Sequence, residues 1–125
     1  MQIDRMGATR IVSTPAALDA MTTPDDVIVL RVASDEAFIF PPTAITLDDA
    51  WAIVKQDSSL AGVWMSADES LYLLERLCEW ELPAERPAFA QGMVAGIPAK
   101  LWFEVDRTLL LVPAPYAAEM EGRIS

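Results

Sequence analysis

The sequence predicts an α+β domain: a ferredoxin-like antiparallel sheet with helices packed on one face. Three observations carry this. From Leu60 onward the pattern runs strand, helix, strand, strand, helix, and a β-branched hairpin ahead of it, Val27 to Phe40, is placed to extend the sheet. The composition, 53% apolar and 22% charged over 125 residues, suits one domain able to bury a two-layer core. Residues 1–26 read as an N-terminal segment with a short helix, and residues 27–125 as the single α+β domain.

In that first segment Thr14 caps a short helix from Pro15 to about Met21, because proline is tolerated at a first helical position. Thr22 to Asp26 is a turn. Val27 to Ala33 and Ala37 to Phe40 form a hairpin around Ser34-Asp35-Glu36, ended by Pro41-Pro42. Thr46 is placed to cap a helix from Leu47 to about Lys55, with Leu47, Ala50, Trp51 and Val54 on its apolar face. Leu60 to Met65 is the next strand. Ser66 and Glu69 have capping-box spacing, and Leu71, Leu74, Leu77 and Cys78 follow at helical intervals. Pro83 and Pro87 bound a loop. Met93 to Val105 reads as a strand broken near Gly96 or Pro98. It turns at Asp106-Arg107 into Thr108 to Val112, and Tyr116 to Ile124 is a closing helix.

Charge and cysteine usage narrow the partners. Nine Lys plus Arg stand against nineteen Asp plus Glu, a net charge of −10, and no two cations are adjacent. Such a surface repels phosphate backbones and anionic lipid heads, so neither nucleic acid nor membrane is expected as a partner. A single cysteine suits a reducing compartment, and Asp4 falls where a signal peptide would carry only cations, so a cytoplasmic protein is expected.

Histidine is absent, which removes the usual general base and imidazole metal sites. One cysteine cannot supply a thiolate metal site, and no glycine-rich phosphate loop is present. The acid pairs Asp25-Asp26, Asp35-Glu36 and Asp48-Asp49 lie at predicted turns and helix starts, where carboxylates cap and complement helix dipoles. Cys78 lies on an apolar stripe and reads as a small buried hydrophobe. No catalytic residue is expected and no metal. Among Trp51, Trp64, Trp80 and Trp102, Trp80 stands among acids at a helix end and is expected to be the exposed one. With Leu82, Phe89 and Met93 it surrounds the proline-bounded loop, and these four are the expected interface.

Several short motifs follow one another in a recognisable order. They are Asp57-Ser58-Ser59, Ser66-Ala67-Asp68, Leu73-Leu74 with Cys78 and Leu82, Phe89-Ala90-Gln91-Gly92, Gly96-Ile97-Pro98, and Leu110 to Pro113 before Tyr116-Ala117-Ala118. Arg31 to Glu36 with Phe38-Ile39-Phe40 precedes them. This order resembles the γ subunit of heterotetrameric sarcosine oxidase and, more distantly, the aminomethyltransferase (glycine-cleavage T-protein) family. The resemblance implies a non-catalytic accessory subunit that packs on larger oxidase-type chains or on itself, with no cofactor bound by this chain alone. An alternative is a folate-dependent one-carbon transferase or folate-binding protein of the same family, with tetrahydrofolate as cofactor and Glu36 and Asp106 as the acids that would face it. The tight Asp106-Arg107 turn stands where those transferases carry a longer loop with the folate-binding acid.

Overall fold

The computed structural model describes all 125 residues and contains seven strands and three α-helices. The strands are β1 (Asp4–Val12), β2 (Ile28–Ala33), β3 (Glu36–Phe40), β4 (Ile53–Ser66), β5 (Ala88–Val94), β6 (Ile97–Phe103) and β7 (Arg107–Pro113). The helices are α1 (Pro15–Asp19), α2 (Ala67–Leu77) and α3 (Ala117–Ile124), the last preceded by one 3-10 turn, Ala114–Tyr116. No helix is long and apolar enough to cross a membrane. The chain divides into two compact units, residues 7–58 and residues 1–6 with 59–125, with the divisions inside β1 and β4.

In the unit of residues 7–58, β3 pairs antiparallel with both β2 and β1. Ile28, Val29 and Val32 make half of β2 β-branched, as a half-buried pleated surface favours. The predicted hairpin is present, with Ser34-Asp35 as its two-residue turn. Arg31 fixes that turn: its Nη2 donates to the Ser34 carbonyl at 2.6 Å and its Nη1 to Asp19 at 2.9 Å. Thr14 caps α1 as expected, its hydroxyl accepting from the Ala17 N–H at 3.2 Å. Ile11, Leu18, Ala37 and Ile39 are the centre of this unit's core.

In the other unit β4, β7, β6 and β5 form an antiparallel run in that order. Alternation sets two faces. Leu101, Leu110 and Val112 point to one face and pack with Leu73 and Leu74 of α2 and Met120 of α3. The capping box of α2 is complete, with Ser66 Oγ accepting from the Glu69 N–H and Glu69 Oε1 from the Ser66 N–H, each at 3.1 Å. The buried side of α2 is Ser70, Leu73 and Leu74, whereas Leu71 points outward. Ser70 can face the core because the buried Thr108 hydroxyl meets it at 3.0 Å.

The expected ferredoxin-like plan is corrected by these observations. That plan leaves one sheet face open, but Leu109 and Leu111, on the face away from α2 and α3, are as fully buried as Leu110, all at 0% exposure. β7 is therefore covered on both sides. Helices are also fewer and shorter than expected. Residues 47–55 form no helix: they make a turn and the start of β4, which extends the predicted Leu60–Met65 strand back to Ile53. The β-branched pair Ile53-Val54 favours strand, and Asp49 competes with helix by bonding the local backbone. The N-terminal segment holds a nine-residue strand, β1, whose DRMGATRIV sequence lacks a clean alternation of polar and apolar residues.

A two-residue turn, Ala95-Gly96, joins β5 to β6 with both residues at positive φ, 51° and 79°. Such mirror-image turns match the twist of a hairpin. Alanine is strained there, and two hydrogen bonds hold it: its N–H donates to the Leu77 carbonyl at 2.9 Å, and its own carbonyl accepts from Arg123 Nη1 at 2.5 Å. Ala95→Gly keeps both bonds and relieves the strain, so it should raise stability by roughly 0.5–1 kcal/mol, whereas Gly96→Ala should lower it by about 1–2 kcal/mol. Urea unfolding of the two variants checks this; a destabilised Ala95→Gly would show that the turn is not strained at residue 95.

Candidate functional site

The four residues expected to form an interface lie along β5 and the loop leading into it. Trp80 follows α2, and its position is set by two features of β5. Its indole Nε1 donates to the Met93 carbonyl at 2.8 Å. Its ring lies over Gly92, where a Cβ would meet indole atoms at 2.6–2.9 Å, so only glycine accommodates the approach. Trp80 is thus half-buried, packed against the core of its unit and bonded to the strand. Leu82 and Phe89 are also half-buried, and Met93 is 51% exposed.

Trp80 stands as a wall between two open clefts. One, of about 480 Å³, is lined by Trp80, Leu82, Pro83 and Phe89 together with Glu81 and Glu85. The other, of about 540 Å³, is lined by Trp80, Met93, Arg76, Glu79 and Gly96. The loop between them and β5 is stiffened by Arg86, whose Nη1 donates to the carbonyls of Pro83 and Glu85 at 2.8 and 2.9 Å. Its guanidinium lies 4.5 Å from the centre of the Phe103 ring. The structure therefore brings all four predicted residues to one edge of the sheet, with acids on the rim of the first cleft and an acid and a cation on that of the second. Apolar walls rimmed by carboxylates can receive an apolar side chain flanked by cations. Cys78 ends α2 half-buried, its Sγ 3.8 Å from the Trp80 carbonyl.

The two candidate folate acids are placed differently. Glu36 begins β3 and accepts from Arg10 Nε at 2.5 Å. Asp106 is exposed at the β6–β7 turn, and its carbonyl accepts from the Ala67 N–H at 3.0 Å, tying the turn to the start of α2. Beside it Arg107 lies 3.7 Å over the Trp64 ring and donates to Glu104 at 2.7 Å, and Glu104 also accepts from Trp102 Nε1 at 2.9 Å. Desolvation opposes ionisation of Glu104, but the bonds from Arg107 and Trp102 outweigh it and hold its carboxyl below its ordinary value.

Sequence reasoning missed Trp51. The expected helix put it on a buried face, but it is 91% exposed at the tip of the turn before β4. Asp49 builds that turn. Its Oδ1 accepts from the Trp51 N–H at 2.9 Å, and its Oδ2 accepts from Ser13 Oγ at 2.6 Å and from the Thr14 N–H at 3.3 Å. The available signal was Asp48-Asp49 itself, since an aspartate bonding the backbone two residues on is a turn device. In sequence the same pair also fits a helix start.

No protein-family model matches the chain, and no curated protein is significantly similar to it.

The hydrogen bonds from Ser13 and then from the Trp51 amide, with a weaker one from the Thr14 amide, outweigh desolvation and hold the Asp49 carboxyl below its ordinary value of 3.8. A carboxyl depressed in the folded state stabilises it above the unfolded pKa, and that stabilisation is lost as pH falls through the folded pKa. Asp49→Asn should accordingly be less stable than wild type at neutral pH. The gap should close as pH drops from 3.8 toward and through the lower folded value. Denaturant unfolding of both proteins across that range checks this; a gap that does not change with pH would show that the charge of Asp49 contributes nothing.

Proposed function

We propose that this chain is a non-catalytic accessory subunit that docks on larger oxidase-type chains, as its resemblance to the sarcosine oxidase γ subunit implies. The observation that carries the reading is the convergence of Trp80, Leu82, Phe89 and Met93 around two clefts with apolar walls at one sheet edge, one bordered by Glu81 and Glu85 and the other by Glu79 and Arg76. Edge strands are natural places for another chain to bind, and clefts with apolar walls admit anchoring side chains. The motifs that carry the resemblance also support it, because they shape this unit. Ser66 caps α2, Gly92 seats Trp80, and Gly96 turns the β5–β6 hairpin.

Within such a complex the flavin would belong to the larger chains, which gives the test a direct readout. A tagged copy expressed at native level in its host should co-purify with chains that absorb near 450 nm, in the range of an oxidised flavin. Met93→Asp should lower their recovery about tenfold, equivalent to about 1.4 kcal/mol, because it puts a charge on the exposed apolar side chain while sparing the Trp80 packing. Recovery of the chain alone at every salt concentration would overturn the reading. So would heat release on titration with tetrahydrofolate in the absence of any partner, which would favour the transferase alternative.

A further inference from the structure

Trp51 is the most exposed large apolar side chain in the protein, and Ile53 and Val54 beside it are exposed as well. The stretch is built, not loose. Leu47 and Ile45 pack against the Ile11–Leu18–Ala37–Ile39 core and fix one leg of the turn. The Ala52 N–H donates to the Asp49 carbonyl at 3.2 Å and closes it, and the Asp49 carboxylate clamps it to Ser13 and Thr14. A turn whose backbone is already fixed loses little backbone freedom when its indole enters a pocket, and tryptophan is a frequent binding anchor.

The surroundings specify the pocket. Asp48 and Asp49 directly precede the ring, and between Arg31 and Arg76 the only cation is Lys55, in a chain of net charge −10. A second copy of the chain would bring the exposed Asp48 and a net charge of −10 against their equals, and like charges across an interface are unfavourable. We infer that Trp51 is the anchor of a second docking surface, whose occupant is a protein with an apolar pocket ringed by lysine and arginine. This rests on the reading of the chain as an assembly subunit, and it adds a contact made by the unit of residues 7–58 to the one placed on β5.

Tagged wild type, Trp51→Ala and Asp48→Lys would each be incubated with host extract. The retained proteins would be joined by a zero-length carboxylate-to-amine crosslinker and identified. The expected result is a protein whose retention falls about tenfold or more with Trp51→Ala, falls also with Asp48→Lys, and weakens as salt rises. Asp48 should crosslink to a lysine beside apolar residues of that protein, and the thermal midpoints of both variants should match wild type. Equal retention by Trp51→Ala, a crosslink to a second copy, or a lowered midpoint for Trp51→Ala would overturn the inference. Flavin-containing chains retained equally by wild type and Trp51→Ala would leave the accessory-subunit reading standing and remove only this one. A Trp51-dependent partner without flavin would do the reverse. An extract from which wild type retains nothing would remove both.

Discussion

Burial of β7 on both faces is the constraint on which the unit of residues 59–125 depends. Thr108 to Val112 are all buried, so every side chain along the strand must find apolar company or a hydrogen-bond partner. On one face Leu110 and Val112 meet the helices, and Thr108 meets Ser70. On the other, Leu111 lies where Gly62 lets Met6 approach: a Cβ at Gly62 would come within 2.7 Å of both. Removing one such leucine would leave a cavity costing on the order of 2–5 kcal/mol, a large share of what a domain this size has. The short helices are a consequence. With the second face covered as well, α2 and α3 do not have to supply the whole core.

In each unit the feature that bears on binding is held by side-chain hydrogen bonds to the backbone. Trp80 donates to Met93, which holds an aromatic wall against an edge strand and makes two clefts where there would be one flat edge. Asp49 accepts from the backbone and from Ser13, which turns Trp51 outward. In the first case the bond holds the indole itself, and in the second it holds the backbone that carries the indole. Trp80 is half-buried and Trp51 nearly bare.

Much of the local structure was legible in the sequence. Thr14, the Ser66–Glu69 capping box and the Val27–Phe40 hairpin are encoded by neighbours within a few residues, and they stand where expected. What was not legible depends on distant residues. β1 has polar residues at Asp4, Arg5, Thr9 and Arg10 in no clean alternation, and its pairing with β3 gives it strand structure that its own pattern does not show. Residues 47–55 have helical spacing of apolar groups, but the bond from Asp49 to Ser13 and Thr14, 36 and 35 positions away, selects the turn. The exposure ranking of Trp51 and Trp80 was inverted for the same reason: the sequence does not show where Gly92 and Asp49 will lie in space. The four candidate interface residues did come together, because they flank one short loop.

The most direct test of the account is native-state hydrogen exchange resolved by residue. If β7 is the doubly covered centre of its unit, the amides of Leu109 to Val112 should exchange only through global unfolding, with protection equal to the full stability, while β5, at the edge of the run, exchanges through smaller openings. Protection of β7 no greater than that of β5 would contradict it, and would mean that one face of the sheet is open to solvent, as the ferredoxin-like plan requires.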